Sequence, residues 1–310
     1  MHTFFKLIRY QNLLMIIVTM CLIRYALLPF FNETISLPTI WFVYILLGVV
    51  CVTAGGYVIN DIYDIEADKI NKPNNTYVGN LVSITKAKYY YTLLTVVGIG
   101  FGTYLSVKVD SMGLSLFFIV TAILLFLYTR FLKRTIFLGN VLISILVSLP
   151  IFMVYIYETV NVPKHDSFLE IVMSIFSSMG VYITILYYMF FSFIATLIRE
   201  LIKDIEDVDG DNYMNMSTLP IIFGMRRARN VAIFFSIIFV ISLIIISKAF
   251  IDDTDFFVLG IYNYLFLVLP LLYFVYVLWN AKAHKQFSFL SSYMKWIMVS
   301  GILSMLIFKF

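Results

Sequence analysis

The chain has 310 residues, 62% of them hydrophobic and only 13% charged, with a net charge of +4. Its mean hydropathy of +0.95 lies well outside the range of water-soluble domains. Too few polar side chains exist to cover an aqueous exterior, which excludes a soluble enzyme, and the positive charges form no basic domain suited to nucleic acid. Cys21 and Cys51 both fall inside apolar runs and give neither a disulfide framework nor metal-ligand spacing.

Apolar runs close to the ~20 residues needed to cross a ~30 Å hydrocarbon layer recur along the chain. The first, Gln11 to Phe31, follows Lys6 and Arg9 and imitates a secretory signal. No small-residue cleavage site succeeds it, so it reads as a retained first helix. Pro38 to Asn60, Lys88 to Ser106, Met112 to Thr129, Ile136 to Tyr157 and Ile171 to Ile198 come next. Val231 to Ile246, Phe256 to Trp279 and Met294 to Phe310 complete the set. The seventh run is short and the last is interrupted by polar residues. The expected fold is an all-α integral membrane bundle of about nine transmembrane helices, forming one polytopic domain over residues 1–310.

Lys and Arg fall unevenly on the two sides of this arrangement. Lys6 and Arg9, Lys69, Lys72, Lys86 and Lys88, Arg130, Lys133 and Arg134 share one side. Arg199, Lys203, Arg226, Arg227, Arg229, Lys282 and Lys285 join them, against Lys108, Lys164, Lys248 and Lys309 opposite. The positive-inside rule makes the richer side cytoplasmic, and Arg226, Arg227 and Arg229 read as anchors of that topology. Glu33, Asp110, Glu158, Asp166, Glu170, Asp252, Asp253 and Asp255 are scattered through the opposite loops. All remaining acids form two cytoplasmic clusters, one after the second helix and one after the sixth.

In the first cluster, Gly55-Gly-Tyr-Val-Ile-Asn-Asp-Ile-Tyr-Asp-Ile-Glu-Ala-Asp-Lys69, a continuing helix projects Asn60, Asp64 and Asp68 within one ~80° sector. In the second, Arg199-Glu-Leu-Ile-Lys-Asp-Ile-Glu-Asp-Val-Asp-Gly-Asp211, the residues Asp204, Asp207 and Asp211 fall within ~60°. Carboxylates crowded beside a membrane repel one another and call for neutralising cations. Mg²⁺ fits, because it takes hard oxygen ligands and commonly bridges one or two carboxylates to substrate phosphates. A diphosphate bound at a membrane suggests ionisation of an allylic prenyl diphosphate, with Mg²⁺ as Lewis acid on the leaving group. Lys69, Lys133, Arg134 and Lys203 are the cations available to steady the departing diphosphate. Gly55 and Gly56 permit either close helix packing or substrate clearance. His2, His165 and His284 lie on separate segments and do not suggest a metal site.

At these residues the sequence resembles the UbiA superfamily of intramembrane prenyltransferases. The first signature, Asn-Asp-x-x-Asp-x-x-x-Asp, is matched by Asn60, Asp61, Asp64 and Asp68, and the second by Asp204, Asp207 and Asp211. Tyr128, Lys133 and Arg134 are similar to a Tyr-x-x-x-x-Lys-Arg element, and Arg9 and Asn12 to an Arg-Pro-x-Asn element in which Tyr10 replaces proline. The resemblance spans essentially the whole chain. It implies nine helices around a central cavity with a lateral opening, cytoplasmic loops capping it, and two Mg²⁺ ions holding diphosphate between the motifs. By the same resemblance Asn60, Asp64, Asp68, Asp204, Asp207 and Asp211 hold metal. Arg9, Asn12, Lys69, Lys133, Arg134 and Lys203 bind diphosphate, and Tyr128, Lys133 and Lys203 serve catalysis.

The second motif, followed by Ser217, Thr218, Leu219 and Pro220, looks most like the digeranylgeranylglyceryl phosphate synthase branch. That branch alkylates a glycerol hydroxyl to make an ether lipid, implying geranylgeranyl diphosphate as donor and geranylgeranylglyceryl phosphate as lipophilic acceptor. One departure is clear: the family's Asn-Arg-Pro-x-Arg-Pro is here Asn71, Lys72, Pro73, Asn74, Asn75 and Thr76. Lys69 or Lys72 stands in for the missing arginine. The alternatives are prenylation of an aromatic acid in quinone biosynthesis, a cation-coupled transporter with intramembrane carboxylates, and a non-catalytic scaffold. A transporter would carry its charges near mid-membrane rather than at helix ends on one side. Oligomeric state and prenyl chain length are not encoded in any motif recognised here.

Overall fold

The protein is described by a computed structural model covering residues 2–33, 35–71, 76–159 and 179–309. Among these residues nine helices are long and apolar enough to cross a membrane. They are α1 (Tyr10–Phe30), α2 (Thr39–Tyr63), α3 (Ile84–Lys108), α4 (Met112–Arg130) and α5 (Leu138–Thr159). The chain continues through α6 (Met179–Glu206), α7 (Met225–Asp252), α8 (Phe257–Asn280) and α9 (His284–Lys309). The sheet content of the described residues is one isolated bridge between Val78 and Val82. A hydrocarbon solvent accounts for this, since a spanning segment must satisfy its backbone polar groups internally. Leu265, Phe266, Tyr276 and Trp296, all more than half exposed, point outward, where lipid tails replace water as their solvent.

Several helices extend beyond their apolar runs, two of them markedly at their starts. The seventh begins at Met225, because Arg226, Arg227 and Arg229 are good helix formers that lengthen it into the headgroup region. The ninth begins at His284, ten residues before the apolar run at Met294. Gln286 caps its start by accepting from the backbone N–H of Lys282 at 2.8 Å and of Ala283 at 2.9 Å. Ile171, at the expected start of the sixth helix, lies outside the described residues, as do Lys164 and His165.

Helix α2 packs along α3, and α6 lies centrally against α5, α7 and α9. The ring closes where a wide helical turn of α1, Ile23–Leu27, meets the last residues of α9, Ser304–Lys309. Gly55 serves packing, since a Cβ there would sit 2.7 Å from Thr95 Oγ1 on α3. Gly56, one residue on, instead borders a central cavity.

At the end of the bundle opposite the aspartate motifs, Arg24 and Glu158 form an ion pair at 3.2 Å with side chains 1% and 3% exposed. Arg24 also donates to the Leu37 carbonyl, and Glu158 accepts from the Leu37 N–H at 3.0 Å. The Arg24 guanidinium lies 4.6 Å from the Phe42 ring centroid. The α1–α2 connection is thereby tied to the end of α5.

Candidate functional site

The two motifs share a backbone device. Helix α2 ends at Tyr63, Asp64 takes φ −93° and ψ 4°, and a short helix resumes over Ile65–Asn71. Helix α6 ends at Glu206, Asp207 takes φ −93° and ψ 11°, and a short helix resumes over Val208–Tyr213. Helical hydrogen bonds persist through both breaks: Asp64 N to Asn60 O at 2.9 Å and Asp68 N to Asp64 O at 2.8 Å. The matching pair is Asp207 N to Lys203 O at 2.7 Å and Asp211 N to Asp207 O at 3.1 Å. The middle aspartate of each motif therefore sits at a bend, while the i, i+4 spacing of the acids survives.

The bends bring the two short helices together, and Asn71 clasps them. Its side chain donates to the Asp207 carbonyl at 2.9 Å and accepts from the Gly210 N–H at 2.8 Å. Gly210 is required by this approach, because a Cβ there would meet the Ala67 carbonyl at 2.7 Å. Asp211 is accordingly pushed up to about 6, chiefly by burial, with Asp207 and Asp64 adding to the rise and Lys133 opposing it.

Lys133, on the turn between α4 and α5, pairs with Asp64, which also accepts from Asn60 Nδ2 at 2.6 Å. Burial, the largest single influence, would lower the lysine's pKa, yet Asp64, Tyr128 and Asp211 together raise it, so the ammonium stays charged. Asn140, in the first turn of α5, donates to Asp204 at 2.7 Å. Arg9 pairs with Asp61 at 2.9 Å and lies 4.9 Å from the Tyr57 ring centroid, while Asn12 donates to the Tyr57 hydroxyl at 3.2 Å. Glu200 accepts from Arg199 at 2.8 Å and from Lys203 at 3.2 Å.

Beneath the motifs a cavity runs into the bundle. Its mouth is polar, lined by Arg9, Asn12, Asn60, Tyr128, Lys133 and Lys203, and its depth is apolar, walled by Leu125, Leu146, Val147, Pro150 and Ile151. Such a shape holds an anionic head at the mouth and a hydrocarbon tail between the helices.

The expected site residues divide accordingly. Arg9, Asn12, Asn60, Tyr128, Lys133 and Lys203 reach the cavity wall. Asp64 meets Lys133, and Asp204 meets Asn140. Asp68, Asp207 and Asp211 lie on or beside the clasped short helices. Two cations do not reach the cavity. Lys69 pairs with Glu66 on an outer face, where the side chains are 50% and 52% exposed. Arg134 is exposed, and its backbone carbonyl accepts from Ser217 N–H at 2.9 Å. Lys69 on its short helix and Arg134 on the turn after α4 both lie off the cavity wall, which residue spacing alone does not reveal. Lys72, the other stand-in for the missing arginine, lies outside the described residues with Pro73, Asn74 and Asn75.

Asn140 and Lys295 reach the site from outside every motif, while Asn71 and Arg199 lie in motif stretches that gave them no role. Asn140 carries a faint signal, as a lone amide at the start of an otherwise apolar helix. Lys295 was hidden by the late start assigned to the ninth helix; it lies inside α9 and faces the cavity.

The donor set suits a hard cation: the facing groups are carboxylate and amide oxygens, without thiolate or imidazole. Among the described residues no three His, Cys, Asp or Glu side chains converge tightly enough to cage an ion unaided. That fits Mg²⁺, which keeps a share of its coordination for phosphate oxygens and water.

An intramembrane helical bundle with paired aspartate motifs over an amphipathic cavity defines a membrane-embedded protein built for an anionic, lipid-tailed ligand. The chain belongs to the UbiA prenyltransferase family, whose model matches residues 12–299. It is 34% identical to the digeranylgeranylglyceryl phosphate synthase of Saccharolobus solfataricus, over 72% of this chain and 67% of that one. It is 30% identical to the enzyme of the same name from Methanobrevibacter smithii, over 95% and 93%. Its fold is like that of a UbiA homolog from Archaeoglobus fulgidus bound to GPP and Mg²⁺, with a TM-score of 0.57, 14% identity, and coverage of 98% and 99%.

Proposed function

We propose that this protein transfers a geranylgeranyl group from geranylgeranyl diphosphate to the glycerol hydroxyl of geranylgeranylglyceryl phosphate, with Mg²⁺ as cofactor. The observation that carries this reading is the pair of identically bent aspartate helices, clasped through Asn71 and Gly210 above a cavity that turns from charged to apolar. The names of the archaeal relatives support the acceptor, and the Archaeoglobus neighbour supports the cofactor and donor class.

In this reading Asn60, Asp64, Asp68, Asp204, Asp207 and Asp211 are the residues that would hold Mg²⁺, two ions between the motifs. Bound there, Mg²⁺ supplies Lewis acidity toward the diphosphate leaving group. Lys133 stays charged beside Asp64 and, with Arg9, Asn12 and Lys203 on the same wall, offers donors to the diphosphate oxygens as charge develops on them. Tyr57 and Tyr128 line the mouth, where an aromatic ring can shelter the positive charge that grows on the allylic carbon. The C1–O bond of the donor breaks with its electron pair on diphosphate, the glycerol oxygen bonds to C1, and the hydroxyl proton is released. The apolar depth excludes water, which would otherwise capture the allylic carbon. The motifs face the cytoplasm, on the side richer in Lys and Arg, and residues 1–310 work as one domain.

The test is transfer of label from geranylgeranyl diphosphate by purified protein in lipid nanodiscs, with geranylgeranylglyceryl phosphate and a panel of aromatic acids offered as acceptors. Mg²⁺-dependent formation of the ether lipid is the expected outcome. Alkylation of an aromatic acid alone would overturn the acceptor, and ion flux without any alkylated product would overturn the reaction class.

A further inference from the structure

The cavity has a second charged wall that the diphosphate reading does not use. Lys295 lies on α9 and faces the cavity together with Arg199 of α6. Lys295 lies within electrostatic reach of Arg199, Lys203, Arg9 and Glu200. Glu200 pairs with both Arg199 and Lys203, whereas Lys295 makes no ion pair among the described residues. An ammonium without a carboxylate on a cavity wall is costly in a membrane protein unless a ligand brings negative charge.

Two more groups on the same wall lack hydrogen-bond partners among the described residues. Thr196, one turn below Glu200, is 4% exposed and lines the cavity with an unpartnered Oγ1. Arg199 has a buried Nε–H without an acceptor. Buried donors and hydroxyls are normally satisfied, so their convergence on a cavity points to a missing acceptor atom.

We propose that Lys295, Arg199 and Thr196 form the phosphate subsite of the acceptor, holding the phosphomonoester of the lipid whose hydroxyl is alkylated. The assignment rests on the ether-lipid reading of the site and adds where that acceptor sits. A phosphomonoester carries about two negative charges and three strong acceptor oxygens at neutral pH, enough for the Lys295 ammonium, the Arg199 Nε–H and the Thr196 hydroxyl together. Below Lys295 the α9 residues Met298, Ile302 and Met305 continue the wall inward. They recur at helical spacing on one face and offer an apolar track for the acceptor's own chain. The donor's chain then follows the α4–α5 wall of Leu125, Leu146 and Val147. The cavity holds two tails side by side, with the diphosphate under the aspartate motifs and the acceptor phosphate against α6 and α9.

The experiment compares Lys295→Met and Lys295→Arg with wild type in nanodiscs containing Mg²⁺ and geranylgeranyl diphosphate. The acceptors are geranylgeranylglyceryl phosphate and its phosphate-free analogue, geranylgeranylglycerol. Lys295→Met is expected to raise the KM for the phosphorylated acceptor by at least about tenfold, with the donor KM within about twofold of wild type. Lys295→Arg is expected to recover most of the loss. The difference between Lys295→Met and wild type should disappear with geranylgeranylglycerol. A parallel loss on both acceptors, or a rise confined to the donor KM, overturns the subsite and leaves the reaction standing. A wild-type protein that alkylates only aromatic acids overturns the reading itself, and the phosphate occupant with it.

Discussion

Two buried ion pairs, at opposite ends of the same bundle, separate what holds this protein together from what equips it for chemistry. Arg24 and Glu158 are enclosed, and both are bonded to the backbone of the α1–α2 connection, so their charge is consumed by the fold. Lys133 and Asp64 are also paired, but Lys133 borders a cavity and Asp64 belongs to a motif whose twin lies across a clasp. The chemistry of the pairs is alike, and the surroundings decide the role. Where a buried charge is enclosed with its partner and tied to the backbone, away from any cavity, it is a fastener. Where it borders a cavity, it is available to a ligand.

Substitutions can break this comparison. The largest expected effect is at the cavity end: Asp64→Ala or Asp204→Ala should lower kcat/KM for prenyl transfer by about three orders of magnitude. The helical circular dichroism and thermal midpoint should stay near wild type. At the other end, Arg24→Met leaves Glu158 buried without its partner and should cost about 3–5 kcal/mol of stability. Thermal unfolding in detergent would read that loss, while activity per folded molecule should be retained. A loss of turnover in folded Arg24→Met would show that the far pair is more than a fastener. Gly210→Ala drives a Cβ against the Ala67 carbonyl and parts the two motifs, which should lower kcat/KM by about a hundredfold with a raised Mg²⁺ requirement. Asn140→Ala removes the amide that orients Asp204 and should weaken Mg²⁺ affinity by about tenfold in a titration of activity against Mg²⁺.

Much of this was legible in the sequence, for reasons tied to the solvent. A hydrocarbon layer demands long apolar helices, and all nine could be read from their runs. The acidic spacing Asn60–Asp64–Asp68 and Asp204–Asp207–Asp211 was equally plain, because i, i+4 geometry survives the bends at Asp64 and Asp207. The bends themselves were not legible, since neither carries proline or glycine at the break. The Asn71–Gly210 clasp joins residues far apart in the chain, and one residue in each segment gives no periodic signal. Lys295 was hidden for a different reason: polar residues interrupt the start of α9, and polarity there looked like the absence of a helix. Lys69 and Arg134 show the converse: they are cations near a motif in sequence that are exposed away from the cavity wall.

The central claim is that the two aspartate motifs act as one site for a Mg²⁺-bound prenyl diphosphate. Calorimetric titration of an unreactive thio analogue of geranylgeranyl diphosphate into wild type, Asp64→Ala, Asp204→Ala and the double variant tests it most directly. Mg²⁺-dependent binding in wild type that is lost in each single variant, with no further loss in the double, is the predicted result for groups that work as a unit. Tight binding that persists without Mg²⁺, or that survives in either single variant, would contradict it.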